Sequence, residues 1–197
     1  MTFRAWDAPP SACADEAIRG AHVLLRPVTP DDYPDILAWQ NDPDVSWLMD
    51  YERAFTPDDI AAQEFEARRD GCPFVIEDDG RRIGRNGLNR FRHRDRACAL
   101  YVYIGVPALW GHGLGRDAIR TALTHAFTTL GLELVELWTL AGNERAVRAY
   151  QACGFRIDGR LRGRSLKDGE RHDHLVMSIT SEEHAALAGR LEGATAH

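Results

Sequence analysis

The alternation of apolar and polar positions predicts a mixed succession of strands and helices. "HVLLRPV" at 22–28 reads as the first strand. "CPFVIED" at 72–78, "IGRNGLNRF" at 83–91 and "ACALYVYIGV" at 97–106 read as three more, separated by the turn residues of "DDGRR" and by the charged "RHRDR". Two helices with matching entries lie between the first two strands. "TPDD" at 29–32 returns at 56–59, each time with threonine at the cap, proline in the first turn and aspartate able to reach back to the cap. Ile119, Leu123, Phe127 and Leu130 then recur at the helical period within 116–131, which Gly131 closes. "LELVELWTL" at 132–140 is a strand. "NERAVRAYQACG" at 143–154 puts Ala146, Val147 and Tyr150 on one helical face, with Asn143 as cap and Gly154 as stop.

The stretch after Gly154 reads as two strands joined at "LKDGE", and residues 181–197 as a last helix or tail. The resulting order is strand, two helices, three strands, helix, strand, helix, two strands. It predicts an α/β (α+β) domain over 21–180, a mixed central sheet with helices on both faces, behind a partly ordered extension at 1–20. It does not predict the regular strand-helix repeats of a doubly wound dinucleotide fold.

Composition narrows the function classes. A chain of 197 residues with 44% hydrophobic and 27% charged residues describes one globular domain, and no run of about 18 apolar residues predicts a membrane span. The formal net charge of -6 argues against nucleic-acid binding, and a cytoplasmic location is expected. Cys13, Cys72, Cys98 and Cys153 have no close pair and no histidine at a metal-ligand spacing, so reduced thiols and no metal site are expected. Arg81, Arg82, Arg85, Arg90, Arg92, Arg94 and Arg96 either solvate a hairpin or favour an acidic acceptor.

The chemistry centres on "PALWGHGLGRD" at 107–117, where Gly111, Gly113 and Gly115 alternate between a strand and a helix. Such a segment is either a tight turn without a ligand or a nest of backbone N–H groups for a phosphate at a helix N-terminus. It lacks the Lys-Ser/Thr of a Walker loop and the spacing of a dinucleotide fingerprint.

The segment resembles the pyrophosphate motif Arg/Gln-x-x-Gly-x-Gly/Ala of the GNAT superfamily of N-acetyltransferases, with Trp110 at the Arg/Gln position, followed by Gly113 and Gly115. A second family motif, Asn-x-x-Ala-x-x-x-Tyr-x-x-x-Gly-Phe, is matched without departure from Asn143 to Phe155. "YVYIGVP" and "LRPVTPDD" look like the ribosomal-protein N-terminal acetyltransferase branch, which also contains enzymes acting on small amines.

The resemblance implies acetyl-coenzyme A as cofactor and direct acetyl transfer to an amine, of a small molecule or a peptide N-terminus. It implies cofactor contacts at Ile104, Gly105 and Val106, then at Trp110, Gly111, His112, Gly113, Leu114, Gly115 and Arg116, and at Asn143 and Ala146, while Gly105 itself suggests a local bulge in the strand. Tyr150 would donate a proton or hydrogen bond to the departing thiolate, whereas without the motif it is a core tyrosine. A homodimer is an expectation of the same resemblance, and a non-catalytic coenzyme-A-binding regulatory module is the alternative function.

An alkyl ammonium with pKa about 10 is only about 0.1% neutral at pH 7, so a base is wanted. Glu136, His172, Asp173, His174, His93 and Asp95 are the side-chain candidates, with a water relay the other route. His172 and His174 fall on one strand face and Asp173 on the other. Trp6, Trp39, Trp47 and the stretch from Tyr51 to Phe55 are candidates for an apolar acceptor wall.

Overall fold

The computed structural model describes residues 16–195, with side chains through residue 189. The expected strands appear as β2 (Val23–Pro27), β3 (Cys72–Asp78), β4 (Arg81–Arg92), β5 (Ala97–Ile104), β6 (Leu134–Leu140), β7 (Arg156–Lys167) and β8 (Glu170–Thr180). A short β1 (Ile18–Arg19) precedes them and pairs with β2. The helices are α1 (Tyr33–Asn41), α2 (Pro43–Met49), α3 (Pro57–Asp70), α4 (Leu114–Thr124), α5 (Glu144–Ala152) and α6 (Ser181–Thr195). The sequence pattern shows no separate α2. Its mark is the Asp42-Pro43 entry, where the Asp42 carboxylate accepts from the N–H groups of Asp44 and Val45.

The two "TPDD" entries behave as capping chemistry requires. Asp59 accepts from the Thr56 backbone N–H at 2.8 Å while the Thr56 hydroxyl accepts from the Asp59 N–H at 3.2 Å. At the first entry Asp32 accepts from Thr29, a 3-10 turn over Pro30–Asp32 intervenes, and α1 begins at Tyr33. Pro34 thus falls in the first turn of α1, where its missing N–H costs nothing.

The strands form one sheet in the order β1-β2-β3-β4-β5-β6-β8-β7. Alternation along each strand feeds two cores. Phe74 and Ile76 of β3 join Ile119 and Leu123 of α4 and Tyr150 of α5 on one face, while Val75 joins Ile36, Val45 and Ile60 of α1, α2 and α3 on the other. Helices therefore cover both faces, as expected. Each fully buried aliphatic chain in these layers contributes about 1.5–3 kcal/mol.

Every strand pairing is antiparallel except that of β5 with β6, which is parallel and registers only Ala97 to Ala99 against Leu134 to Glu136. Beyond that seam β5 stays with β4 and β6 stays with β8. The two strands part, and a wedge opens in the middle of the sheet.

Cys98 and Cys153 are buried free thiols. Cys72 is disulfide-bonded, which corrects the expectation of a reduced thiol there. Cys13 and Trp6 lie outside the described residues.

Candidate active site

The wedge opens into a cleft of about 1170 Å³. One end, the candidate donor end, is made by β5, the turn after it, and the starts of α4 and α5. Gly105 donates its N–H to Ile83 of β4 at 2.8 Å, so by strand alternation the backbone groups of Val102 and Ile104 face the opposite way, into the wedge. The Ile104 carbonyl accepts from the Trp110 indole N–H at 2.8 Å.

Gly111 and Gly113 both have φ of +87°, a region closed to most side chains, and Gly113 is the cap of α4. Glycine cannot cap with a side chain, so the first-turn N–H groups of α4 are left for a ligand or water. A Cβ on Gly111 would meet nothing within 4 Å, so the requirement there is conformational. This end suits an anion such as a pyrophosphate.

Trp110 and Arg145 complete the donor end. The Arg145 guanidinium lies 3.8 Å from the Trp110 ring centroid, and both side chains line the cleft. Where the family motif has Arg or Gln, this chain has an indole that carries an arginine borrowed from α5. Among the described residues Arg145 forms no salt bridge, which leaves its charge available. Asn143 caps α5 by accepting from the Ala146 N–H at 3.2 Å, and both residues line the cleft.

Ile104, Trp110, Gly111, Gly113, Leu114, Gly115 and Arg116 line the cleft, whereas Gly105, Val106 and His112 do not. A Cβ on Gly105 would fall 2.1 Å from the Trp39 ring, so this glycine lets an indole of α1 lie against the strand. The expected bulge at Gly105 is absent. The irregularity of β4 and β5 lies instead between Asn89 and Arg92. The Val106 carbonyl is used by Leu109 in the 3-10 turn over Pro107–Leu109, and His112 is solvent-exposed.

Tyr150 is 8% exposed, stands edge-on to Phe155 and lines the same cleft. Among the described residues its hydroxyl has no hydrogen-bond partner. Burial pushes this phenol well above its ordinary pKa, so it holds its proton at neutral pH.

The other end, the candidate acceptor end, is built from distant segments. Asp50 ends α2 in a left-handed conformation, φ +61°, and accepts from the Ser165 hydroxyl at 2.7 Å and from the Lys167 ammonium at 3.0 Å. His174 Nε2 shares a hydrogen bond with Ser165 and stands 3.4 Å from Asp50. Burial lowers the His174 pKa, with the charges of Arg164 and Lys167 acting the same way and Asp50 opposing, so the ring is neutral at pH 7. For Asp50 burial acts upward, but the hydrogen bonds from Ser165 and Lys167, with the charges of Lys167 and His174, hold the carboxyl below its usual range.

Of the six side-chain candidates for a base, His174 alone lines the cleft. Glu136 is paired with Arg92, Asp173 with Arg160 at 2.6 Å, and Asp95 with Arg92 at 3.4 Å. His172 stands edge-on to Trp47, and His93 stacks on Phe91. His172 and His174 do share a face, and Asp173 points the other way toward Arg160 and Gly163.

Of the expected aromatic wall, Tyr51 lines the cleft, while Trp39 is buried in the second core and Phe55 packs on that core. Behind Tyr51 lies a group the sequence pattern does not disclose. Arg85, 2% exposed, pairs with fully buried Glu64 at 2.5 Å and donates to the Tyr101 hydroxyl at 3.0 Å. Arg85 thereby leaves the solvated arginine run. Arg82 and Arg92 are tied to Asp35 and Glu136. Asp50, Ser165 and Arg145 line the cleft without being marked in the sequence. Arg145 was within reach, two positions beyond Asn143, whereas nothing local marks Asp50 or Ser165.

Among the described residues no group of three or more His, Cys, Asp or Glu side chains gathers as for a metal, and no helix is long and apolar enough to cross a membrane.

The acetyltransferase (GNAT) domain model matches residues 22–156, more than half of the chain. The chain is 29% identical over 113 residues to spermidine N(1)-acetyltransferase of Escherichia coli, a match covering 57% of this chain and 60% of that enzyme. It is 30% identical over 112 residues to spermidine N(1)-acetyltransferase of Vibrio cholerae, covering 56% of this chain and 64% of that one. The chain thus spans less than two thirds of these curated relatives. The crystal structure of spermidine N-acetyltransferase from Vibrio cholerae in complex with CoA and spermine superposes with a TM-score of 0.78 at 24% identity, over 84% of this chain and 99% of that one, a likeness of fold. These relatives are named for spermidine; they do not carry the ribosomal-protein description that the strand and opening motifs led us to expect. With the model spanning both the wedge and the glycine-headed helix, the chain belongs to the acetyltransferase (GNAT) domain family.

Proposed function

We propose that this protein is an acetyl-coenzyme-A-dependent N-acetyltransferase that acetylates a primary amine of a small molecule. One observation carries the reading: an uncapped helix end, an unpaired strand edge and a protonated, unpartnered tyrosine hydroxyl all open on one cleft. Family membership and the small-molecule acceptor named for the relatives support it.

Acetyl-coenzyme A, when bound, supplies an acetyl group activated as a thioester. The N–H groups at the start of α4 bind the pyrophosphate, with Arg145 on its Trp110 support and Arg116 adding charge. Val102 offers its N–H and carbonyl, and Ile104 its N–H, to the pantetheine arm along the edge of β5, much as a neighbouring strand would. The Ile104 N–H on this edge would stabilise negative charge on the thioester oxygen. The Tyr150 hydroxyl donates its proton toward the leaving sulfur. At the acceptor end the Ser165 hydroxyl donates to Asp50 and accepts from His174 Nε2–H, which fixes the ring and leaves Nδ1 of the neutral imidazole to take the amine proton, directly or through water.

Thiol release from acetyl-coenzyme A, measured against a panel of small amines and peptides, tests this reading. We expect amine-dependent release with small molecules. Tight cofactor binding without release on any amine would leave the non-catalytic coenzyme-A-binding module as the function.

A further inference from the structure

The cleft is strongly unbalanced in charge. Arg90, Arg116, Arg145, Arg148, Arg164 and Arg171 line it, against the carboxylates Asp50 and Glu52. The arginines divide by position. Arg116 is on α4, and Arg145 and Arg148 are on α5, beside the phosphate-binding end. Arg90 comes from β4, Arg164 from β7 and Arg171 from β8, the strands that also bring Ser165 and His174.

At the acceptor end Asp50 is already paired with Lys167 at 3.0 Å, so its charge is spent within the protein. Among the described residues Arg90, Arg164 and Arg171 form no salt bridge. Arg90 lies with its guanidinium 5.5 Å from the Trp138 ring centroid. Arg171 is steadied by donating to the Gly163 carbonyl at 3.0 Å, and Arg164 stands near enough to His174 to lower its pKa. Three cations on three strands thus line the cleft together with one exposed carboxylate, Glu52.

From this we infer that the acceptor is a small primary amine that also carries an anionic group, a carboxylate or a phosphate, and that polycations such as spermidine are disfavoured. The inference rests on the acetyltransferase reading and names its substrate class. Guanidinium groups recognise both anions through paired N–H donors, and a focused positive potential repels a second ammonium while drawing the anion in. The amine end is then left toward neutral His174.

Three acceptors of equal length separate the charge classes: 5-aminopentanoate, its neutral amide and 1,5-diaminopentane. Phosphoethanolamine against ethanolamine separates phosphate from carboxylate, and spermidine is the polycation. Each is measured by kcat/KM with acetyl-coenzyme A and by calorimetry on the protein–coenzyme A complex. We expect the anionic member of at least one series to exceed its neutral partner by about tenfold or more, and the diamine and spermidine to rank last. The preference should shrink in high salt. In an Arg164→Glu, Arg171→Glu variant, both exposed and free of carboxylate partners, it should be lost or reversed. A preference for spermidine or the diamine, or an unchanged ranking in that variant, overturns the inference. Anion binding without turnover upholds the acceptor charge while overturning the transferase reading.

Discussion

The two ends of the cleft are built by different means. The donor end uses backbone: the edge of β5, two left-handed glycines and the first turn of α4 follow one another within 101–116, and α5 adds Asn143, Arg145 and Tyr150. The acceptor end uses side chains from far apart; the hydrogen bond between Ser165 and Asp50 joins positions 115 residues apart. A donor common to a family can be met by a fixed main-chain frame. An acceptor that differs between members is met where side chains can change without disturbing that frame.

Removing one partner from the buried pair behind the acceptor wall should have the largest effect. Glu64→Ala leaves the Arg85 guanidinium buried and unpaired, which should cost about 3–5 kcal/mol in urea unfolding. A Glu64→Leu, Arg85→Met double variant should recover much of the loss. If the single variant unfolds like wild type, the acceptor wall does not depend on that charge.

Next comes Tyr150→Phe, expected to lower turnover about 100-fold while leaving coenzyme A affinity unchanged in calorimetry. Equal turnover would return Tyr150 to a packing role in the core.

Within the donor end, Gly113→Ala should cost about 1–2 kcal/mol through its positive φ and weaken coenzyme A binding. Gly115→Ala, whose Cβ would reach only an ordinary 3.8 Å contact with Ile104, should change binding little. Similar losses at both positions would mean that side-chain bulk, not backbone conformation, governs the loop.

The smallest effect concerns pH. Burial holds His125 and His174 below their ordinary pKa, so the unfolded chain takes up protons at about pH 6.5 before the folded one does. The contribution of these two rings to stability is therefore level above that pH and declines below it. His174→Gln should flatten part of the decline in unfolding midpoints and, if the ring takes the amine proton, remove the acid limb of kcat. A limb unchanged in that variant points to the water relay.

What could be read from the sequence follows the same division. Two contiguous motifs and their caps disclose the sheet, the glycine-headed helix and the position of Tyr150 on α5, because local geometry depends on local residues. The α2 turn escaped because seven residues are too few to show a period. Glu64 carried a faint signal, four positions after Ile60 on the apolar face of α3, but its partner lay on another element. Asp50, Ser165 and Arg164 look like ordinary surface residues until the β7–β8 hairpin is placed against α2.

The short parallel seam also bears on how the chain reaches its shape. On one side, β3–β4 and β4–β5 are hairpin neighbours in sequence; on the other, β7–β8 is a hairpin that takes in β6. Each half can assemble from nearby pairings, and three registered residue pairs join them within the sheet. Backbone amides along that junction should be the first of the central strands to exchange with deuterium, ahead of those in the hairpin pairings on either side.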